Sequence, residues 1–324
     1  MTSRTSQTLS AAALSLLTLT ACAPSADSAE SLSSAQASGP TVQASSPTAQ
    51  APGAESPSGD AAQPEVTADL TSIEDEYDAR VGVHAMDTGD GSFVEHRSDE
   101  RFGFASTIKS LAVAELLDTT SAEQLDEQVT WTEDDVEDAG YAPVTKKHLG
   151  DGLPLEKVAE AAIRVSDNAA ANIVFDHIDG PAGLDSALED LGDPTTEVID
   201  REPELNVIDH DSTDNTTTPA AFSGDLAALL DSENLSADDR ELLIDWMSGN
   251  ATGDPLIRAG APEGWEVADK SGHADALRND VAIVFPPKRD PIVIAIMTEH
   301  HDPNSESDAA LIEDTARAVL SAFE

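Results

Sequence analysis

Two rhythms of apolar and polar residues run along the chain from about residue 70. Apolar side chains recurring at three and four positions bury one face of a helix, and strict alternation buries one face of a strand. The helical rhythm covers residues 106–118, 154–165, 168–178, 183–191, 219–231 and 236–248, and returns at 307–323. A short acidic helix is predicted over 70–77. Thr218-Pro219 is a strong helix start, a capping hydroxyl followed by the residue suited to the first helical position. The strand rhythm marks 81–86 and 92–96, joined by the turn-forming Thr88-Gly89-Asp90-Gly91, and reappears at 265–270, 280–285 and 292–298.

Strands therefore flank a helical centre. The pattern predicts an α/β chain of the α+β kind, with one antiparallel sheet made from both chain ends, covered by the terminal helices, and an all-helical lobe inserted between them. The helical lobe takes about 99–250, and the sheet lobe draws on 67–98 and 251–324. A site is expected in the crevice where the lobes meet.

Before residue 67 the composition changes. Residues 1–21 carry Arg4 and an apolar run from Leu9 to Ala21, too short for a membrane span and read as a secretory signal. It ends in Leu19-Thr20-Ala21-Cys22, which resembles the lipobox of bacterial lipoproteins. The resemblance implies export, with Cys22 as the lipidated first residue on the outer face of the cytoplasmic membrane, or secretion after release. Residues 22–66 are almost all Ser, Ala, Pro, Gly, Gln and Thr, too poor in large apolar side chains to fold, and read as a tether. The lone cysteine excludes an internal disulfide framework.

Charge narrows the class of partner. The chain has 63 Asp and Glu against 17 Lys and Arg, a formal charge of -46. Such a surface repels nucleic acid and anionic lipid, so the only membrane contact expected is the lipid anchor. It also repels itself, and because salt screens that repulsion, a high-salt habitat is the expectation. Only six lysines occur, so each is informative.

Two of those lysines fall in motifs with chemistry. Ser106 and Lys109 are three residues apart at the start of a predicted helix, on one face, where an amine can activate a hydroxyl. Lys270-Ser271-Gly272 ends a strand, with a glycine that lets a ligand lie against the backbone. Ser166-Asp167-Asn168 interrupts the helical centre, Glu202-Pro203-Glu204-Leu205-Asn206 lies in a polar loop, and Tyr141 precedes Pro143 on the loop before Ser166. Each alone could be a cap or a turn.

Together they resemble the class A serine β-lactamases, over the whole stretch from about residue 70 to the end. Tyr141-Ala-Pro-Val-Thr145, Ser166-Asp-Asn-Ala-Ala-Ala-Asn172, Leu256-Ile-Arg-Ala-Gly260 and Gly264-Trp265 also read like family members. The resemblance implies a monomeric, cofactor-free and metal-free enzyme that opens a β-lactam through a serine ester and clears the ester with water. It assigns Ser106 as nucleophile, with its proton leaving to Lys109 or through a water to Glu202. Glu202 with Asn206 would activate the deacylating water, and Ser166, assisted by Lys270, would pass a proton to the departing nitrogen. The oxyanion would meet the N–H groups of Ser106 and His273. Lys270, Ser271 and Arg278 would take the substrate carboxylate, Gly272 would line the strand, Asn168 would bind the acylamino side chain, and Tyr141 would pack on the ligand.

The chain departs from the family pattern before Glu202. The usual arginine two residues earlier and aspartate thirteen later are here Asp200 and Asn215, with Arg201 displaced by one. An Asp200–Asn215 hydrogen bond, or pairing of Arg201 with Asp209, Asp211 or Asp214, is expected to hold the loop. The stretch from Gly272 to Arg278 is also one residue short. Glu299-His300-His301-Asp302 is read as a solvated loop rather than a metal site. Two rivals remain: a D,D-peptidase or penicillin-binding protein that acylates and turns over slowly, which Glu202 and Asn206 argue against, and a tethered sensor with a relic site, which the intact motifs argue against.

Overall fold

The computed structural model describes residues 63–324, so the expected signal, Cys22 and most of the tether lie outside the described residues. Five antiparallel strands form the main sheet: β1 (Ala79–Asp87), β2 (Phe93–His96), β3 (Glu266–Ala274), β4 (Leu277–Phe285) and β5 (Ile292–His300), in spatial order β2-β1-β5-β4-β3. Both chain ends thus build one sheet, as the alternation predicts. Along β5 the alternation is strict. Ile292, Ile294 and Ile296 pack with Leu70 and with Leu311, Ile312 and Val319 of the terminal helices Gln63–Tyr77 and Ala309–Leu320. Val293, Ala295 and Met297 face the other way, into the core that Ile108, Leu111, Phe175 and Trp246 share. The sheet is therefore covered on both faces, which period-2 burial requires.

The helical lobe holds Lys109–Thr119, Leu155–Arg164, Asn168–His177, Pro181–Leu191, Pro219–Leu229 and Ala237–Ser248. Thr218 does cap its helix, its side chain accepting from the Ala221 N–H at 3.2 Å. The predicted helix at 106–118 is in fact two pieces, a 3-10 turn Ala105–Ile108 followed by the α-helix. Its cause is local: Ala105 takes a left-handed φ of 46°, and the Thr107 N–H closes a tight turn onto the Phe104 carbonyl.

The strands run further than the alternation indicated. β3 and β4 continue through the polar stretch around Ser271 to a two-residue link, Asp275-Ala276, with Ala274 opposite Leu277. That tight link accounts for the missing residue before Arg278. β5 likewise extends through Glu299 and His300, so these two residues end a strand instead of lying in the expected loop. Glu299 is engaged there by Arg80 at 3.0 Å.

Candidate active site

β3 is an edge strand, and its free edge faces the 3-10 turn that carries Ser106. Gly272 makes that approach possible: a Cβ on it would lie 2.9 Å from the Phe104 carbonyl oxygen and 3.2 Å from the Thr107 nitrogen. Asn279 of β4 ties the turn down from behind, donating to the carbonyls of Gly103 and Phe104 at 2.8 and 3.3 Å. An unpaired strand edge presents backbone N–H groups to whatever enters the crevice. The Ser106 turn and His273 thus line the same cleft.

The second wall comes from the helical lobe. Asp167, fully buried, caps the helix Asn168–His177 through the Ala170 N–H and also takes the N–H groups of Val144 and Thr145 and the Thr145 hydroxyl. One carboxylate thereby fixes the loop of Tyr141 to the turn of Ser166 and Asn168. Asp167 thus meets the helix-cap reading of that stretch, while its neighbours Ser166 and Asn168 line the cleft. Ser166 itself sits at a left-handed φ of 55°, held by this network.

The third wall is the loop of Glu202. Asn172 clamps its backbone in both directions, donating to the Glu202 carbonyl at 2.8 Å and accepting from the Glu202 N–H at 3.0 Å. Asp200 accepts from the Asn215 amide at 2.8 Å, and the Asn215 oxygen accepts from the N–H groups of Ile199 and Asp200. So the first of the two expected latches is present. The second is not as expected: Arg201 pairs with Asp176 at the end of the helix Asn168–His177, not with Asp209, Asp211 or Asp214. Asp176 lies closer in space because that helix runs beside the loop, a proximity that sequence separation hides.

At the centre the charged groups converge. The Ser106 hydroxyl donates to Glu202 Oε1 at 3.1 Å, and Lys109 Nζ lies 2.9 Å from the same oxygen. Asn206 donates to the other oxygen, Oε2, at 2.6 Å. Lys109 also donates to the Ser166 carbonyl at 2.9 Å, to Asn168 Oδ1 at 2.7 Å and to Ser166 Oγ at 3.3 Å. Lys270 donates to Ser166 Oγ at 3.1 Å from the opposite side. Ser166 thus bridges the two lysines. The carboxylate stands nearer to Ser106 than the water-bridged arrangement expected from sequence, within direct hydrogen-bond reach.

Both lysines are fully buried. Burial pushes the Lys109 ammonium below its usual range, against the upward pull of Glu202. Lys270 is lowered to about 7, by burial first and then by the Lys109 charge. A buried amine with a lowered pKa can take up and release a proton near neutrality, which an ordinary lysine cannot.

Ser106, Ser166, Asn168, Asn206, Ser271 and Arg278 line one cleft of about 390 Å³, with Tyr141 and His273 exposed along it. That volume suits a small organic ligand. Arg278 stands opposite His273 across the β3–β4 pair. Burial and the Arg278 charge hold the His273 imidazole below its usual range, leaving Arg278 as the cleft's standing positive charge on this side. Two contributors went unrecognised in the sequence. Thr252 lines the cleft and shares a 2.6 Å hydrogen bond with Ser271, but nothing in the loop after the helix Ala237–Ser248 marks it. Asn172 carried a signal, since four residues after Asn168 it shares that residue's helical face.

A family model described as the β-lactamase enzyme family matches residues 65–323. The chain is 43% identical to a β-lactamase of Bacillus licheniformis over 271 residues, 83% of this chain and 88% of that protein. A crystal structure of a class A β-lactamase from Clostridium kluyveri superposes with a TM-score of 0.78 at 42% identity, covering 80% of this chain and 98% of that one. The chain belongs to the class A serine β-lactamases. A halotolerant bacterial β-lactamase also aligns, with a TM-score of 0.76 and 40% identity over 79% of this chain and 99% of that one. As a member of this family the protein hydrolyses β-lactam antibiotics through a serine ester. Among the described residues no cluster of His, Cys, Asp or Glu has metal-binding geometry.

Proposed function

We propose that Ser106 is the acylated residue and that Glu202 prepares the water that removes the acyl group. The observation that carries this reading is the triangle of Ser106 Oγ, Glu202 Oε1 and Lys109 Nζ, with sides of 3.1 and 2.9 Å meeting at the carboxylate oxygen. The Ser106 proton passes into the Glu202–Lys109 pair as the hydroxyl attacks the lactam carbonyl. Ser166, held between Lys109 and Lys270, delivers a proton to the departing nitrogen and is reprotonated by a lysine. A water then enters beside Glu202, gives it a proton and attacks the ester carbonyl, and the bond to Ser106 Oγ breaks as that proton passes back to the serine oxygen. Asn206 holds the far carboxylate oxygen so that the near one keeps its aim. Backbone N–H groups of Ser106 and His273 stabilise the oxyanion, and Lys270, Ser271 and Arg278 receive the substrate carboxylate. Asn168 and Tyr141 contact the substrate's acylamino side. Counting product tests hydrolysis against the penicillin-binding alternative: with a chromogenic cephalosporin, hundreds of product equivalents per enzyme are expected, and release that stops at one equivalent overturns the reading.

Beyond the chemistry, we propose that the chain is exported and held by lipid on Cys22, supported by the apolar leader and the lipobox-like stretch ending there. No helix among the described residues is long and apolar enough to cross a membrane. A mature N-terminus carrying diacylglyceryl-Cys22 by mass spectrometry is expected; an unmodified one contradicts it. The -46 charge supports adaptation to salt, as does the likeness to a halotolerant relative. Melting temperature should rise by several degrees between about 0.05 and 1 M of any simple salt as self-repulsion is screened. Indifference to salt would remove that reading.

A further inference from the structure

A serine that receives a carboxylate must have its hydroxyl proton free, and the hydrogen bonds around Ser271 fix where that proton lies in the free enzyme. They begin at Asn250, which is 1% exposed and follows the helix Ala237–Ser248. Its amide is oriented from both ends. The main-chain N–H of Thr252, which can only donate, meets Asn250 Oδ1 at 3.1 Å, and Asn250 Nδ2 donates to the fully buried Asp269 of β3. Asn250 Oδ1 is therefore the acceptor on the Thr252 side. The Thr252 hydroxyl, 2.8 Å from that oxygen, must donate to it.

That bond uses the single proton of Thr252 Oγ1. The 2.6 Å contact between Thr252 Oγ1 and Ser271 Oγ must then take its proton from Ser271. Ser271 thus turns its proton toward Thr252 and a lone pair toward the cleft that both residues line. A carboxylate entering beside Ser271 brings oxygens and no proton. Three contacts between oxygens, carboxylate to Ser271, Ser271 to Thr252 and Thr252 to Asn250, must then share two hydroxyl protons. Whichever way the hydroxyls turn, one close pair of oxygens is left with no hydrogen between them, and that pair must part or repel.

We propose that Thr252 is a specificity-determining residue that works against carboxylate recognition, by holding the proton that Ser271 would donate to the substrate. It is a positioning residue, acting through Ser271, and it leaves Lys270 and Arg278 to attract the carboxylate by charge. The proposal rests on the reading that the carboxylate is received at this end of the cleft. Replacing Thr252 by valine removes the competing oxygen but keeps the main-chain N–H, so Asn250 Oδ1 still has a donor. The Ser271 proton is then free to point into the cleft. Thr252→Val should therefore tighten binding of a carboxylate-bearing β-lactam, the reverse of what losing a supporting hydroxyl would do.

Steady-state kinetics with a penicillin test this in wild type, Thr252→Val and Thr252→Ser, and in Ser271→Ala with and without Thr252→Val. In Thr252→Val, KM should fall about fivefold, the worth of one hydrogen bond no longer given up, with kcat unchanged. Thr252→Ser keeps the oxygen and should keep the wild-type KM. In the Ser271→Ala background Thr252→Val should change nothing. An unchanged or higher KM in Thr252→Val, or the same fall without the Ser271 hydroxyl, overturns the proposal. Neutron diffraction from the deuterated wild-type enzyme reads the proton itself: deuterium on Ser271 Oγ directed at Thr252 is expected, and deuterium on Thr252 Oγ1 directed at Ser271 overturns the proposal. Arg278→Gln separates this inference from the reading beneath it. If that change leaves KM unmoved, the carboxylate assignment fails and the proposal with it; if it raises KM while Thr252→Val does not lower it, the proposal alone fails.

Discussion

Replacing Ser106 by alanine is expected to lower kcat on the order of 10⁵-fold, while substrate still binds. The change deletes one oxygen from a half-buried side chain, so the fold has no reason to respond. It removes the one hydroxyl among the described residues that donates to Glu202, whereas Lys270, Ser271, Arg278 and Asn168 keep their places in the cleft or beneath it. A binding signal near the wild-type KM together with near-complete loss of turnover is the expected split. Retained turnover would move the nucleophile elsewhere, with Ser166 as the next hydroxyl bonded to a lysine.

Glu202→Gln should divide the reaction in two. Lys109, held below its usual range and 2.9 Å from the oxygen position that the Ser106 hydroxyl also reaches, remains in the site to take up a proton, so the ester is expected still to form. Its removal needs a base that the amide cannot be, and loss of a positioned general base costs about 10²- to 10⁴-fold. Steady-state kcat should fall on the order of 10³-fold. The trace with a chromogenic cephalosporin should then show a burst of one equivalent followed by a slow line. Because the substitution leaves Lys109 buried without its carboxylate, a loss of about 3 kcal/mol in stability is expected alongside. Activity is to be compared below the variant's own melting range. A variant with proportionate slowing of burst and steady phases would show that Glu202 serves acylation alone.

How much of this could be read from the chain depended on what kind of signal each part leaves. The inner strands advertise themselves, because β5 alternates between two apolar cores and no polar residue interrupts it before Thr298. The arms of the β3–β4 hairpin do not. Residues such as Lys270, Ser271, Asn279 and Asp280 are buried for polar contacts, and periodicity of apolar residues is blind to them. The motif residues were legible as text, and Ser106, Lys109, Ser166, Glu202, Asn206 and Lys270 do converge in one hydrogen-bonded group. Of their supports, only Asn172 left a trace in the text, through its helical spacing from Asn168. Asn172 grips the Glu202 backbone from 30 residues away, Arg201 finds Asp176 rather than the acids near it in sequence, and Thr252 meets Ser271 across the cleft. The buried acids Asp193 and Asp225 are the extreme case. In an acidic chain two more aspartates read as solvated surface, and only their shared burial makes them unusual.

The loop of Glu202 also shows how a lost ion pair is replaced. With Asp200 and Asn215 at the two positions, the side chains meet through an amide-to-carboxylate bond, and the amide oxygen returns to the backbone at Ile199 and Asp200. Three directed hydrogen bonds thus do the work of one salt bridge, and with a single charged group among them they are less sensitive to the screening that a saline medium imposes on charge pairs.

Intact-mass spectrometry of wild type and Glu202→Gln, quenched seconds and then minutes after mixing with a penicillin, interrogates the shared chemistry most directly. The variant should carry one substrate mass on the peptide containing Ser106 at both times, and the wild-type protein should be bare once substrate is spent. A wild-type chain still burdened at the later time, or a variant that is bare at both, would contradict the role given to the carboxylate.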